Sequence, residues 1–197
     1  MKKKMKAKQM KKKSSGVKRA PEKMKKTAVK KTRAKKPVVK RKKKVLSQPK
    51  GYNTITPYLI VNGAKNAIVF YKTAFGAKIA MSMEHPGGKI GHAELKMGDA
   101  KIMLADEFPE MHAHSPKKFG GSPVSIHLYV KNVDSVVEKA VSLGAKLERP
   151  VQNMFYGDRS GTIIDPYGHT WYIATHVEDV TPAKLRKRAA ELFNKKD

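Results

Sequence analysis

Hydrophobic positions after residue 50 alternate between strand-like and helix-like spacing, in an order that occurs twice. A strand-like run at 56–61 precedes one helical stretch, and a second run at 125–130 precedes another. Apolar residues three or four positions apart predict the two helices: Ala64, Ala67, Ile68, Tyr71, Ala74 and Phe75 in the first, and Val133, Val136, Val137, Ala140 and Leu143 in the second. Gly76 and Gly144 follow these stretches, where a helix C-cap glycine is expected.

Strand-like segments follow each helix and complete the repeat. Gly-Ala-Lys occurs at 76–78 and again at 144–146, 68 residues later. The predicted strands that follow are 78–83, 90–97 and 101–105 in the first half, and 146–149, 162–164 and 170–175 in the second. The predicted order is β-α-β-β-β, twice. The sequence therefore indicates an α+β fold of two βαβββ modules, each with a sheet face left to be covered.

This pattern sets the predicted boundaries along the chain. The regions are a tail at 1–50, a domain at 51–178 made of module one (54–107), a linker (108–122) and module two (123–178), and a C-terminal helix at 179–197. The linker is too long for a simple connection, so we predict that it acts as a lid. The C-terminal helix is expected to begin with Thr181 as N-cap and Pro182 at its first position.

The N-terminal tail holds most of the excess positive charge. It contains 24 Lys and Arg against one acid, Glu22, whereas the remaining 147 residues have a net charge of only +4. Because it has no Phe, Tyr or Trp and few other apolar residues, it cannot bury enough surface to fold, and we predict disorder. Its charge predicts sequence-independent binding to nucleic acid phosphates. Binding to acidic membranes or cell-wall polymers, nuclear import through 38–45, and a solubilising extension are the alternatives.

Missing residue types exclude several classes of protein. The sequence has no cysteine, which excludes disulfide scaffolds, thiolate nucleophiles and Cys-ligated metal centres. No stretch approaches the roughly 18 consecutive apolar residues of a spanning helix, and the N-terminus lacks the apolar centre of a secretory signal. The expected location is the cytoplasm, with nucleoid association if the tail binds DNA.

Short motifs across 54–177 resemble one known family. The matching segments are TPYL at 56–59, AIVFY at 67–71, FGA at 75–77, HAEL at 92–95, GDR at 157–159 and DPYGHTW at 165–171. With the duplicated βαβββ pattern, they resemble the vicinal oxygen chelate (VOC) superfamily of glyoxalase I, extradiol dioxygenases, and fosfomycin and bleomycin resistance proteins. More narrowly, they resemble its PhnB-like branch. The resemblance implies curved sheets that form a cup for a small ligand, often at a divalent metal, and a homodimer.

The resemblance also implies where metal ligands would stand. They come from the start of each module's first strand, here Thr56 and Ser125, and from each last strand, here Tyr172 and a residue near Ile102. None of these side chains is a good divalent-metal ligand. We therefore assign no metal ligands and no cofactor, with a divalent metal left as the open alternative.

Polar residues on the predicted strands form the candidate site. Glu94 is the candidate catalytic residue, because a carboxylate on a central strand needs partners or a raised pKa. The candidate ligand-binding residues are Tyr58, His92, His127, Asp158, Arg159, His169 and Trp171. We place Asp158 and Arg159 in the bend before a strand and expect Glu94, Arg159, Trp171 and His127 to meet in the cup. The structural alternative is a Glu94–Arg159 ion pair, a core Trp171, and histidines with internal partners.

Two further groups of polar residues have simpler interpretations. His112 and His114 could bind zinc with Asp106, Glu107 and Glu110, but we favour an exposed mobile loop. The segment 165–168, Asp-Pro-Tyr-Gly, has the side chains of a structural turn.

Three functions follow from these observations. The first is a metal-dependent enzyme of the VOC type, acting as a lyase, dioxygenase or transferase. The second is a small-molecule-binding protein of this fold without a required metal, with aromatic residues in the cup. The third is a nucleoid-associated DNA-binding protein whose folded domain senses a ligand or dimerises. We favour the second, joined to a tail that binds polyanions.

Overall fold

The computed structural model describes residues 45–194, and predictions about residues 1–44 and 195–197 lie outside that range. Most of the predicted disordered tail falls in the first of these ranges. Within the described residues, the chain forms two four-stranded mixed sheets and three α-helices, which confirms the predicted α+β fold with two βαβββ modules. No helix in this part of the chain is long and apolar enough to cross a membrane.

Module one is a four-stranded sheet with one helix packed on it. Its elements are β1 (Tyr58–Val61), α1 (Ala64–Phe75), β2 (Lys78–Glu84), β3 (Ile90–Met97) and β4 (Ala100–Asp106). The strand order is β1-β4-β3-β2, with β1 parallel to β4 and the other pairs antiparallel. Helix α1 ends at the predicted Gly76, whose φ of 68° is a left-handed conformation that glycine adopts without strain.

Module two repeats this arrangement. Its elements are β5 (Ser125–Tyr129), α2 (Val133–Ser142), β6 (Lys146–Asn153), β7 (Asp158–Ile164) and β8 (Thr170–His176), in the sheet order β5-β8-β7-β6. The predicted start of β7 at 162 is wrong. The strand begins at Asp158, because its first residues already pair with β8, with Asp158 opposite His176. Asp158 and Arg159 therefore lie in a strand rather than in the predicted bend.

Helix α1 joins the two modules through a shared aromatic core. Tyr71 and Trp171 are both fully buried, with ring centroids 5.6 Å apart. Phe75 lies against the same indole, at 4.8 Å between centroids. Contacts of this kind add stability beyond the apolar area that they bury. The core therefore fixes module one against module two and leaves the sheet faces opposite the helices open.

Corresponding side chains at the ends of β4 and β8 hold the two helix starts. Asp106 accepts hydrogen bonds from the backbone N–H groups of Gly63 and Ala64, at 3.0 and 2.8 Å. Thr175, 69 residues later, accepts one from the N–H of Val133 at 2.9 Å. Both side chains satisfy donors that a helix start leaves unpaired. The repeat is thus visible in the capping of the helices as well as in the order of the strands.

The segments that follow each module are folded rather than open loops. The linker contains two short 3-10 turns, Pro109–Met111 and Pro116–Phe119, and an isolated bridge between Phe108 and Ala113. After β8 comes α3 (Pro182–Phe193), which begins as predicted, with the Thr181 hydroxyl accepting from the N–H of Lys184. Both segments pack on module two: Pro116 lies beside Gly168, and Arg188 of α3 donates to the carbonyl of Phe155 at 3.3 Å.

Candidate functional site

The open face of module one lies opposite α1 and combines thioethers with a buried acid. Strand pairing places these side chains on it: Tyr58 and Ile60 from β1, Met81 and Met83 from β2, His92 and Glu94 from β3, and Lys101 and Met103 from β4. Leu59, Ala93 and Leu104 point the other way, into the core. Alternation along each strand separates the two sets.

Glu94 is almost fully covered, with 5% of its surface exposed. Its carboxylate accepts a hydrogen bond from the hydroxyl of Tyr52 and one from the ammonium of Lys101, 3.0 Å away. His92 Nε2 lies 3.7 Å from the same carboxylate. The hydrogen bond from Tyr52, followed by that from Lys101, holds the pKa of Glu94 below its ordinary value. Glu94 is therefore an ionised acceptor at neutral pH, and its predicted catalytic role stays a prediction.

Tyr52 and Lys101 are the two residues of this group that sequence reasoning missed. The ammonium of Lys101 lies 3.7 Å from the centroid of the Tyr52 ring, a cation–π contact. The Glu94 carboxylate raises the pKa of Lys101. Lys101 could have been found from the sequence, because the predicted turn at 98–99 brings β4 back beside Glu94. Tyr52 precedes every predicted element, so no periodicity points to it.

Two predicted ligand-binding residues, Tyr58 and His92, lie on this face in contact with each other. The Tyr58 hydroxyl is 3.1 Å from His92 Nδ1, and the ring centroids are 5.5 Å apart. Tyr58 is 49% exposed, so its ring remains available to a ligand. These two side chains extend the polar cluster of Glu94 toward β1.

The open face of module two has a second buried acid, Asp158. It is 4% exposed and accepts a hydrogen bond from the Tyr129 hydroxyl at 2.9 Å. His176 Nδ1 lies 2.7 Å from its other oxygen, and His176 Nε2 lies 3.0 Å from Asp179. Hydrogen bonds to these two carboxylates raise the pKa of His176, and Asp158 makes the larger contribution. The predicted His127 lies on the same face, with its ring 4.6 Å from that of Tyr129.

The predicted meeting of Glu94, Arg159, Trp171 and His127 in one cup is wrong. Arg159 donates to both oxygens of Asp134 on α2, at 2.8 and 2.6 Å, and not to Glu94. It lies on the helix side of its sheet because neighbours in a strand face opposite ways, and Asp158 takes the open side. Trp171 is fully buried and donates to Asp165 at 2.8 Å, so it belongs to the core.

A cleft of about 1160 Å³ lies between β1 and β5, with the linker along it. It brings together three predicted ligand-binding residues, Tyr58, His127 and His169. His169 is 8% exposed, and its Nε2 lies 3.1 Å from the carbonyl oxygen of Ile60. His114 of the linker also lines the cleft. Because the linker forms one wall, its position suits the predicted lid.

The residues at the expected metal positions do not fit a divalent metal. Ile102 is buried in the core, and its neighbours on the open face are Lys101 and Met103, of which the first is a cation. The other expected positions hold hydroxyl side chains rather than the imidazoles and carboxylates that bind such metals. Across residues 45–194, no group of three or more His, Asp or Glu side chains is placed to hold an ion.

The alternative zinc site in the linker also fails, because two of its three carboxylates have other partners. Asp106 caps α1 and also accepts from the N–H of Ile90 at 2.7 Å. Glu107 accepts from the N–H of Ser115 at 2.7 Å, and hydrogen bonding by Ser115 lowers its pKa. Both acids therefore stabilise the backbone of module one and the linker.

Comparison with known proteins agrees with the fold. The uncharacterized protein Rv0887c of Mycobacterium tuberculosis is 36% identical over 135 residues, which cover 67% of this chain and 79% of that protein. The X-ray structure of the Arabidopsis thaliana gene product At5g48480 matches with a TM-score of 0.52 and 28% identity, covering 62% of this chain and 98% of that one.

More distant structures share the fold alone. The fosfomycin resistance protein FosX of Listeria monocytogenes, solved with Mn(II) and sulfate, matches with a TM-score of 0.50 and 18% identity, covering 70% of this chain and 97% of that one.

The family model described as Glyoxalase/Bleomycin resistance protein/Dioxygenase superfamily matches residues 51–173, more than half of the chain. The protein belongs to the glyoxalase/bleomycin resistance/dioxygenase (VOC) superfamily.

Proposed function

We propose that this protein binds a small, uncharged molecule in the cleft between β1 and β5, without requiring a metal. The observation that supports this proposal is the convergence of Tyr58, His127 and His169 on one cleft of about 1160 Å³. A volume of this order accommodates a drug-sized ligand. Membership of the PhnB-like branch stays a prediction that rests on the sequence motifs.

The lining of the cleft indicates the kind of ligand. Its walls are mainly apolar, with Leu59, Ile60, Phe119, Val124 and Ile126 among the lining residues, and the polar side chains on it are imidazoles, hydroxyls and one phenol. None of the described residues that line it is Lys, Arg, Asp or Glu. An apolar molecule with a few hydrogen-bonding groups suits such walls. The unsuitable residues at the metal positions argue against the metal-dependent enzyme.

The test uses N-phenyl-1-naphthylamine, an uncharged apolar fluorophore. We expect saturable, one-to-one binding to the full-length protein. Phe119→Asp places a charge on the apolar wall and should weaken binding about tenfold or more, because a ligand bound against that wall would cover the charge at a cost in free energy. Phe119 is 69% exposed, so the fold should tolerate the change.

Val69→Asp is the matched control, because Val69 is an exposed apolar residue on α1 that does not line the cleft. It should bind the fluorophore like the wild type. Equal binding by the wild type and the Phe119 variant would contradict the proposal.

A second proposed function, binding of nucleic acid, is favoured by the charge of residues 1–50. Their 24 Lys and Arg predict an affinity for DNA that falls steeply with salt concentration. The full-length protein and a chain that begins at Val45 should differ in both affinity and salt slope. If the DNA affinities of the two chains had equal salt slopes, this proposed function would be wrong, and so would the predicted nucleoid association.

The predicted homodimer also stays a proposal. The outer strands β2 and β6, like β1 and β5, each pair with one strand only, so one edge of each is open within the described residues. Unpaired edges of this kind are ready to accept another chain. Sedimentation equilibrium should give twice the monomer mass, and a monomer at all concentrations would contradict a dimer.

A further inference from the structure

The segment 48–57, here called the strap, crosses onto the open face of module one before β1 begins. Gly51, with a φ of 85°, lies in a turn in which the N–H of Tyr52 donates to the carbonyl of Pro49 at 3.3 Å. The side-chain amide of Gln48 donates to the carbonyl of Tyr52. This turn directs the Tyr52 side chain toward Glu94 and Lys101. The C-terminal end of the strap joins the sheet where the N–H of Met103 donates to the carbonyl of Pro57 at 2.8 Å. No strand pairing involves the residues before Pro57, so the side chain of Tyr52 is their main attachment among the described residues.

The contacts of Tyr52 are those that a free phenol would make. Its hydroxyl donates to the carboxylate of Glu94, and its ring covers the ammonium of Lys101 at 3.7 Å from the centroid. Tyr52 and Met103 also line one small cavity of about 510 Å³. A charged acceptor, a cation against a ring face and a thioether wall together recognise a hydroxyl-bearing aromatic ring.

The apolar floor of this face extends beyond what Tyr52 covers. On β2, Met81 and Met83 remain 38% and 52% exposed. Met81 lies opposite Glu94, and Met83 lies opposite His92. The buried acid is thus at the edge of an exposed patch of flexible side chains, which adapt to ligands of varied shape. Such a patch offers room for a ligand larger than one tyrosine side chain.

We propose that the open face of module one is a binding site for neutral phenols, and that Tyr52 occupies it as an internal ligand. A phenol binds by displacing Tyr52 from Glu94 and Lys101. The apparent affinity for the phenol is therefore the intrinsic affinity multiplied by the fraction of molecules in which the strap is open. This site adjoins the cleft between β1 and β5, since Tyr58 and Ile60 line both, but the phenol contacts at Glu94 and Lys101 lie outside the cleft and do not depend on the function proposed for it.

The test uses p-cresol, which is the side chain of tyrosine without the backbone. Full-length protein with labelled methionine methyl groups is titrated, and the signals of Met81, Met83 and Met103 are followed by NMR. Tyr52→Ala should bind p-cresol about tenfold more tightly than the wild type, because the internal competitor is gone. In that variant, 4-methylanisole, which cannot donate a hydrogen bond, should bind about tenfold more weakly than p-cresol. Adding Glu94→Ala, which removes the acceptor, should abolish this preference.

Tyr129→Ala is the matched control, since Tyr129 donates to the buried acid of module two. It should leave p-cresol binding at wild-type strength. Tyr52→Phe keeps the ring and removes the hydroxyl, so it should give a smaller gain and serves if Tyr52→Ala unfolds. The unchanged signal of Met97, a core residue at 6% exposure, reports folding.

The proposal is overturned by either of two results. One is an affinity for p-cresol that does not rise in the Tyr52 variants. The other is equal binding of p-cresol and 4-methylanisole, which would make the strap a structural attachment only. Neither result bears on the cleft, because the naphthylamine titration reports on Phe119 and not on the methionines of β2 and β4.

Discussion

Modules one and two share a skeleton but differ in what their open faces present. In both, the strand order is the same, and a side chain at the end of the last strand holds the start of the helix, Asp106 in one and Thr175 in the other. Module one presents methionines around Glu94, whereas module two presents Tyr129, His127 and other polar side chains around Asp158. The backbone N–H groups at the helix starts need hydrogen-bond partners in both modules, whereas the side chains on the open faces are free to differ.

Each module also uses its buried acid to hold one end of the domain. Glu94 accepts from Tyr52 of the strap, which precedes β1. Asp158 contacts His176, which also contacts Asp179 in the segment that leads to α3. Each acid lies on the third strand of its module. The same position in the fold therefore holds the N-terminal strap in module one and the segment before α3 in module two. The open faces of this duplicated fold are therefore places of attachment as well as of binding.

The greatest loss of stability is expected at Asp165, which belongs to module two but also holds α1 of module one. It is 3% exposed and accepts from the Tyr71 hydroxyl at 2.7 Å and the Trp171 indole at 2.8 Å. Asp165→Ala should lower the free energy of unfolding by about 4 kcal/mol, since the two buried side-chain donors each lose a partner at about 1–3 kcal/mol. Urea denaturation measures this change.

The control at the corresponding turn of module one is Asp99→Ala. Asp99 is exposed, and its removal should change stability by about 0.5 kcal/mol or less. If the two variants lost equal stability, the proposed difference between the turns of the two modules would be wrong.

An intermediate effect is expected at Gly157, where the segment after β8 crosses module two. A Cβ at this position would lie 2.1 Å from the carbonyl oxygen of Glu178, and φ is +102°. Gly157→Ala should cost about 2–3 kcal/mol, because both the backbone conformation and the contact are unfavourable. Thermal unfolding and the protection of α3 from proteolysis measure it.

Gly120→Ala separates the two causes. Gly120 has a φ of +76°, but a Cβ added to it would have no atom within 4 Å, so the substitution should cost only the about 1 kcal/mol of a left-handed residue. A similar loss in both variants would show that the contact with Glu178 contributes nothing.

A weaker effect is a difference in how the two terminal segments respond to pH. Hydrogen bonds from Arg188 and Lys184 lower the pKa of Glu178 to about 2, from 4.5. Its stabilisation is present above pH 4.5 and is lost as pH falls toward 2. The raised pKa of His176 acts in the opposite direction: its stabilisation is present below pH 6.5 and is lost as pH rises through the folded-state value.

Docking of the C-terminal segment should therefore be strongest between about pH 4.5 and 6.5. The amide signals of Val177 and Glu178, which both donate to the carbonyl of Gly157, report it. Glu178→Gln should remove the loss of docking at acidic pH. His176→Gln should remove the loss of docking above pH 6.5. The strap should lose stability only on the acid side of this range, because the pKa of Glu94 is lowered. If the strap came away from Glu94 between about pH 6.5 and 9, this difference between the two terminal segments would be wrong.

Sequence periodicity was sufficient for the elements but not for the site. Apolar spacing located both helices, and Gly76 and Thr181 marked a helix end and a helix start correctly, because these signals act within a few residues. Asp158 and Arg159 were misplaced because no local signal shows that β7 extends to pair with β8. Whether Arg159 could meet Glu94 in the cup required knowing which face of the strand Arg159 takes. That face depends on where β7 begins.

The amino-acid sequence alone was enough to establish the duplicated βαβββ order, the family and the separation of a tail of net charge +23 from a domain of net charge +4. Hydrophobic period and charge composition are properties of the chain itself. The partners of the buried acids, in contrast, required the folded arrangement. Tyr52 and Glu94 are 42 residues apart, and Asp165 and Tyr71 are 94 apart. Such pairs depend on register and on helix packing across modules, which no local pattern encodes.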